Sequence, residues 1–119
     1  MASSLYEQLG GKAALDAAVD RFYEKVLSDN RIKQFFDGVD MQKQRGKQKI
    51  FLAYAFGGPV KYTGQDMRAA HAHLGLTEEH FAAVAENLQE TLEDLRVAPE
   101  LIKQVMEIAA STHDDVLNL

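Results

Sequence analysis

Residues 77–95 read TEEHFAAVAENLQETLEDL, and this stretch predicts a long amphipathic helix. Thr77 is a favourable cap, and two glutamates in the first turn suit the positive end of a helix dipole. The apolar residues recur at helical spacing and share one face, namely Phe81, Val84, Ala85, Leu88, Leu92 and Leu95. The remainder of the chain must therefore supply the elements that cover this face.

The helical pattern continues on both sides of this stretch. Further helices are predicted over residues 12–27, 41–56 and 66–74, with a short one after Ser4 and a last one from Pro99. Gly57 and Gly58 end the 41–56 helix, and residues 60–65 are predicted to form a loop. No segment shows a strand pattern, so the chain is predicted to be all-α, with residues 1–119 in one domain.

Composition excludes several functional classes. The formal net charge of −5 argues against a general nucleic-acid binder, which normally carries a basic excess. The absence of cysteine excludes disulfides, thiolate zinc sites and cysteine catalysis. The N-terminus lacks the pattern of a signal peptide, and no apolar run is long enough to span a bilayer. We therefore expect a cytoplasmic protein without a membrane partner.

His71 is a candidate metal ligand in the predicted 66–74 helix. Met67, Ala70, His71 and Leu74 follow helical spacing, so the imidazole is expected to face the core. A single histidine is sufficient to hold a haem iron. From these residues alone, a core histidine bonded to a backbone carbonyl is the more frequent alternative.

The 41–56 helix carries two glutamines, Gln44 and Gln48, on an otherwise apolar stripe. An unpaired buried amide costs on the order of 1–3 kcal/mol, so an ordinary core would place apolar residues there. Tyr23, on the inward side of the preceding helix, adds a hydroxyl that also requires a partner. These residues predict a polar guest in an apolar cavity. The alternative is a half-exposed helix with the glutamines at its edge.

The same helix contains a basic run of Lys43, Arg45, Lys47 and Lys49. Alternate residues of a helix point in different directions, so these charges are spread around it. We interpret the run as a solvated face rather than a phosphate-binding one.

Several segments, in this order and spacing, resemble the group I truncated haemoglobins, especially their cyanobacterial and green-algal members. The segments are SLYEQLGG, AVDRFYEKVLSD, FFDGVDMQKQR, FLAYAFGG, DMRAAHAHLGL, HFAAVAENL and DVLNL. The resemblance implies a two-over-two helical sandwich around one b-type haem per chain. It also makes His71 the proximal iron ligand.

The resemblance implies roles for further residues. Tyr23, Gln44 and Gln48 match the distal residues that hydrogen-bond a bound gas. The implied positions around the haem face, its propionates and its apolar wall are Phe35, Phe36, Lys43, Phe51, Tyr54, Tyr62, Met67, Leu74, Phe81 and Val84.

Two residues depart from the family pattern. Lys47 stands where many members carry a histidine that binds the iron as a sixth ligand, and some algal members have a ligating lysine there. A ligating amine must be neutral, so a charged Lys47 that stays in solvent or pairs with a propionate is the alternative. His113 stands three residues before Val116, whereas the histidine that bonds covalently to haem in some members stands four before that valine. One residue turns a side chain by about 100° on a helix, so an exposed C-terminal histidine is the alternative.

The resemblance implies binding of O2, NO and CO. Hydrogen bonds to a charge-bearing acceptor contribute about 1.5–3 kcal/mol each, so the distal residues should slow oxygen release. Slow release suits oxygen binding, or the conversion of NO to nitrate with an external reductase, better than transport. A cofactor-free helical module that binds a partner protein is the alternative outside the family. We expect a monomer.

Overall fold

Every regular element in the described part of the chain is helical. The structure, a computed structural model, describes residues 4–58 and 75–117, except for the side chain of Asp115. The elements are α1 (Leu5–Leu9), α2 (Gly11–Leu27), a 3-10 helix (Lys33–Phe36), α3 (Met41–Ala55), α4 (Glu78–Asp94), α5 (Pro99–Ala110) and α6 (His113–Leu117). The predicted loop 60–65 and helix 66–74 lie outside the described residues. Within those residues, no helix is long and apolar enough to cross a membrane.

Helix caps account for two of the helix starts. The Ser4 hydroxyl accepts the N–H of Glu7 at 3.1 Å and begins α1. The Asp40 carboxylate accepts the N–H groups of Gln42 and Lys43, at 3.1 and 3.3 Å, and begins α3. Each cap satisfies backbone donors that have no partner within the helix. The starts of these helices could therefore be predicted from single residues.

The start of α4 is a capping box in which a histidine takes the usual place of glutamate. The N–H of His80 donates to the Thr77 hydroxyl at 3.4 Å, and the N–H of Thr77 donates to His80 Nδ1 at 3.1 Å. The His80 ring meets Phe35 edge-on, with ring centres 4.8 Å apart. The 3-10 helix is thereby placed beside the first turn of α4.

The core has two parts, and α2 contributes to both by packing against α3 and α4. One cluster contains Leu15, Ala53, Phe56, Leu92 and Val105, and the other contains Val19, Tyr23, Val26, Ile32 and Ala83. Leu27 and Leu95, which the spacing placed on apolar stripes, are 37% and 40% exposed. They stand at the ends of α2 and α4, where the neighbouring helices give them less cover.

The exit from α3 passes very close to α1. The N–H of Gly58 donates to the Ala53 carbonyl at 2.7 Å, and the N–H of Tyr6 donates to the Phe56 carbonyl at 2.9 Å. A Cβ at Gly58 would lie 2.9 Å from that Ala53 oxygen and 2.9 Å from the Tyr6 ring. A glycine is needed here because the two chain segments approach so closely.

A polar joint centred on the buried Asn87, which the sequence does not predict, connects α4 to the turn after α2. Asn87, only 6% exposed, donates to Asp29 and to the Ala83 carbonyl, both at 2.9 Å. The guanidinium of Arg31 donates to both oxygens of Asp29, at 3.0 and 2.8 Å. Hydrogen bonds from Arg31, and then from Asn87, hold the pKa of Asp29 well below its usual range. The carboxylate thus remains charged and fixes the turn against α4.

We predict that Asn87→Ala lowers the free energy of unfolding by about 2–3 kcal/mol, because a hydrogen bond to a charged group contributes about 1.5–3 kcal/mol and a small cavity is added. Urea unfolding followed by circular dichroism measures this loss. Gln89→Ala, at an exposed position of the same helix, is the control and should change stability little. Equal stabilities of the two variants would contradict the role of the joint.

Candidate functional site

Tyr23 is the centre of a hydrogen-bonded group between α2 and α3. Its side chain is 2% exposed, and its oxygen accepts the amide Nε2–H of Gln44 at 3.2 Å. Its hydroxyl donates to Gln48 Oε1 at 3.5 Å. Gln44 and Gln48 are one helical turn apart, so both reach the same phenol. The three residues, which we call the Tyr23 network, are thus brought together as the inward stripe of polar residues suggested.

The two hydrogen bonds of Tyr23 differ in quality. Hydroxyl donors usually lie about 2.7–2.8 Å from an oxygen acceptor, so the 3.5 Å bond to Gln48 is weak. The phenol oxygen is held more firmly by Gln44. The hydroxyl proton of Tyr23 is therefore free to turn toward a better acceptor while its oxygen stays in place.

The Tyr23 ring is fixed by aromatic neighbours on two sides. Phe22 and Phe36 meet it edge-on, with ring centres 5.2 and 5.7 Å away. Burial raises the pKa of the Tyr23 hydroxyl, although the Gln44 hydrogen bond and the charge of Arg45 oppose this shift. The hydroxyl consequently remains a proton donor at neutral and mildly alkaline pH.

The basic run of α3 is divided between two sides of the helix, in keeping with the predicted spread of these charges around it, and one side is only partly solvated. Lys43 and Lys47 are exposed, as predicted. Arg45 is half-buried, and its Nε has no hydrogen-bond partner among the described residues. Lys49, one turn further on, is paired with Asp20 of α2 at 3.5 Å. The i, i+4 relationship explains the division, because it aligns Arg45 with Lys49 and Lys43 with Lys47.

Two of the predicted wall residues that the structure describes are substantially exposed. Tyr54 in α3 is 54% exposed, and Val84, on the apolar stripe of α4, is 38% exposed. Phe35, Phe36, Phe51 and Phe81 are partly buried. The other predicted haem-site residues, His71, Tyr62, Met67 and Leu74, lie outside the described residues.

His113 is neither isolated nor fully exposed, in contrast to the simpler alternative. Its Nε2 lies 2.7 Å from a carboxylate oxygen of Glu78, and its Nδ1 lies 2.9 Å from Asp114. Its ring also meets Phe81 edge-on, with centres 5.1 Å apart. The Glu78 contact cannot be predicted from the sequence, because the two residues are far apart along the chain.

Similarity to known proteins identifies the family. A model of the bacterial-like globins matches residues 4–118. The chain belongs to the bacterial-like globin family. Group 1 truncated haemoglobin GlbN from Synechocystis sp. is 57% identical over an alignment of 122 positions, which covers 98% of this globin and 98% of that protein.

Solved structures show the same relationship for this globin. The 2/2 haemoglobin from Synechococcus sp., in the cyanomet state and with covalently attached haem, has a TM-score of 0.93 at 50% identity, over 98% of this chain and 100% of that one. Truncated haemoglobin from Tetrahymena pyriformis, in its Fe(III) form, has a TM-score of 0.93 at 42% identity, over 97% and 98% of the two chains. The predicted truncated two-over-two fold and haem cofactor are confirmed, which removes the cofactor-free module as an alternative.

The described residues of the globin fit a haem. A porphyrin is a flat, largely apolar group, and it would cover exposed apolar surface such as that of Val84 and Tyr54. The Tyr23 network adds hydrogen-bond donors for a small ligand in otherwise apolar surroundings. Residues of α2, α3 and α4 thus provide both an apolar surface for a porphyrin and polar groups for a small ligand.

Proposed function

We propose that this globin binds O2, NO and CO on haem b, with His71 as the proximal ligand and the Tyr23 network on the distal side. Haem supplies an iron that binds diatomic gases. The observation that carries the proposal is the unequal pair of hydrogen bonds at Tyr23, at 3.2 and 3.5 Å. They leave an anchored, buried hydroxyl with a proton available to a guest.

The three residues act in different ways in this proposal. Tyr23 gives up its weak bond to Gln48 and donates to the guest, while Gln44 continues to hold the phenol oxygen. The Gln48 amide, released from the tyrosine, is then able to turn its own N–H group toward the same guest. The surrounding apolar residues limit the water that would compete for these donors.

We further propose that retained oxygen is used to convert NO to nitrate. Joining NO and O2 into nitrate takes up one electron per turnover, so the activity requires an external reductase. Slow oxygen release favours this use over transport, because a carrier must unload. Mixing the oxygenated protein with NO should give one nitrate for each NO consumed. Loss of oxygen before nitrate forms would leave a gas-binding protein without this activity.

Lys47 is proposed as an internal sixth ligand in the ferric protein. It is exposed on α3 next to Gln48, so its long side chain is not held by packing. A neutral amine binds ferric iron, whereas a charged one prefers water. The proposal therefore includes a pH-dependent exchange between these two positions of the side chain.

We propose that the haem is held without a covalent bond to His113. Such a bond forms through a lone pair on a ring nitrogen, but both nitrogens of His113 face carboxylates that only accept hydrogen bonds. Extraction with acidified butanone should therefore remove all the haem from the purified protein. Haem that stays with the polypeptide would contradict this proposal.

A further inference from the structure

The contacts of His113 determine its protonation state. Glu78 lies at Nε2, with oxygens at 2.7 and 2.9 Å, and Asp114 lies at Nδ1, at 2.9 Å. Carboxylates have no proton to give, so both ring nitrogens must carry one. The arrangement therefore requires the charged imidazolium.

The same contacts join two parts of the fold. His113 is the first residue of α6, and Glu78 is the first residue of α4. The His113 ring also meets Phe81, which lies one turn after Glu78 and is a proposed wall residue of the haem pocket. Val116, further along α6, is buried. The attachment of α6 to α4 thus lies directly beside the pocket wall.

We propose that His113 is a positioning residue that fastens α6 to the first turn of α4 in a pH-dependent way and so holds Phe81 in the haem pocket wall. The effect of His113 on haem retention depends on the proposed role of Phe81 in the pocket wall. The attachment of α6 to α4 does not depend on that role.

The charges around His113 give the direction of the pH dependence. Among the described side chains, Glu78 of α4 and Asp114 of α6 are the titratable groups that contact it, and their hydrogen bonds raise its pKa. A histidine whose pKa is higher in the folded than in the unfolded protein contributes its full stabilisation below its unfolded-state pKa of about 6.5. That contribution is lost as the pH rises through the pKa of the histidine in the folded protein. The fastening should therefore hold at slightly acidic pH and release as the pH rises through the raised pKa of His113.

Nuclear magnetic resonance of the haem-containing protein in its diamagnetic CO form tests the fastening. The His113 ring resonances should titrate above the ordinary histidine range. Protection of the Val116 amide, whose N–H donates to the Thr112 carbonyl at 2.9 Å, should fall over the same pH interval after correction for intrinsic exchange. A protection factor that stays constant while His113 titrates would overturn the proposal.

Glu78→Gln is the test variant, and Glu79→Gln is its matched control in the same helical turn. Glu78→Gln should shift the His113 titration and the loss of Val116 protection to lower pH. At neutral pH it should also speed haem transfer to an apomyoglobin acceptor by about two- to fivefold, the range expected from one exposed ion pair. Glu79→Gln should change none of these quantities.

Two results separate this proposal from that of the distal site. Equal behaviour of Glu78→Gln and Glu79→Gln would refute the fastening, whatever the oxygen kinetics. A raised His113 titration with loss of Val116 protection over the same pH interval, combined with an oxygen dissociation rate unaffected by the loss of the Tyr23 hydroxyl, would support the fastening and refute the distal assignment.

Discussion

Oxygen is expected to leave a Tyr23→Phe variant about 10 to 100 times faster than the unaltered globin. The substitution removes one hydrogen bond to a charge-bearing guest, which contributes about 1.5–3 kcal/mol, and about 1.36 kcal/mol corresponds to a tenfold change in rate. The ring and its edge-on contacts with Phe22 and Phe36 are retained. Stopped-flow replacement of oxygen by excess CO measures the dissociation rate.

Tyr6→Phe is the control for this measurement. Tyr6 is a partly buried tyrosine of α1 beside the exit from α3, so it tests the loss of a phenol hydroxyl elsewhere. CO accepts hydrogen bonds poorly, so its dissociation rate should change much less than that of oxygen in Tyr23→Phe. An oxygen dissociation rate unaltered in Tyr23→Phe would show that Tyr23 does not donate to the guest.

The same experiment has an expected pH dependence. Burial raises the pKa of the Tyr23 hydroxyl, so the donor remains protonated from neutral to mildly alkaline pH. The oxygen dissociation rate of the unaltered protein should therefore be nearly constant over that interval. A steep rise in the rate at mildly alkaline pH would contradict a protonated donor.

The second large effect is expected in the ferric absorption spectrum. If Lys47 supplies the sixth ligand, the unaltered protein should be low-spin and Lys47→Ala should be high-spin, because water is a weaker-field ligand than an amine. Raising the pH should increase the low-spin fraction of the unaltered protein, since only the neutral amine binds iron. In Lys47→Ala this amine-dependent change should be absent.

Lys103→Ala provides a control for Lys47→Ala. Both lysines are exposed on helices, so each substitution removes one surface charge, and Lys103, on α5, has no proposed role at the haem. Only Lys47→Ala should change the spin state. An unchanged ferric spectrum in Lys47→Ala would exclude ligation by this residue, and similar changes in both variants would indicate a general charge effect.

The helices could be predicted from the sequence because their signals are local. The Thr77 cap and the apolar stripe beginning at Phe81 predict α4. Asp40 predicts the start of α3, and Gly57 predicts its end. The polar joint of Asn87, Asp29 and Arg31 could not be predicted in this way. Its partners are brought together only by the packing of α4 against the turn after α2, and an isolated Asn87 looks like an ordinary polar residue of an exposed helix face.

The residues of the candidate site also differ in whether a local sequence pattern or only the packing of the helices defines their contacts. Two amides on an inward stripe require a partner, which singles out Gln44 and Gln48 in the sequence, and the structure pairs both with Tyr23. The sequence does not predict the partial burial of Arg45, because alternation along the chain conceals its alignment with Lys49 on the side that faces α2. The spacing of His113 from Val116 does not predict its contact with Glu78, which depends on the packing of α6 against α4.

The rigid setting of Tyr23 has a consequence for the speed with which a gas is captured. The ring is held by Phe22 and Phe36 and its oxygen by Gln44, so rotation about a single C–O bond is enough to redirect the proton. Motions of this size are completed within picoseconds to nanoseconds, long before a ligand escapes into solvent. A gas molecule that has just separated should therefore meet a donor already in position. We expect much of the rebinding after a laser flash to be geminate, within the pocket and independent of gas concentration.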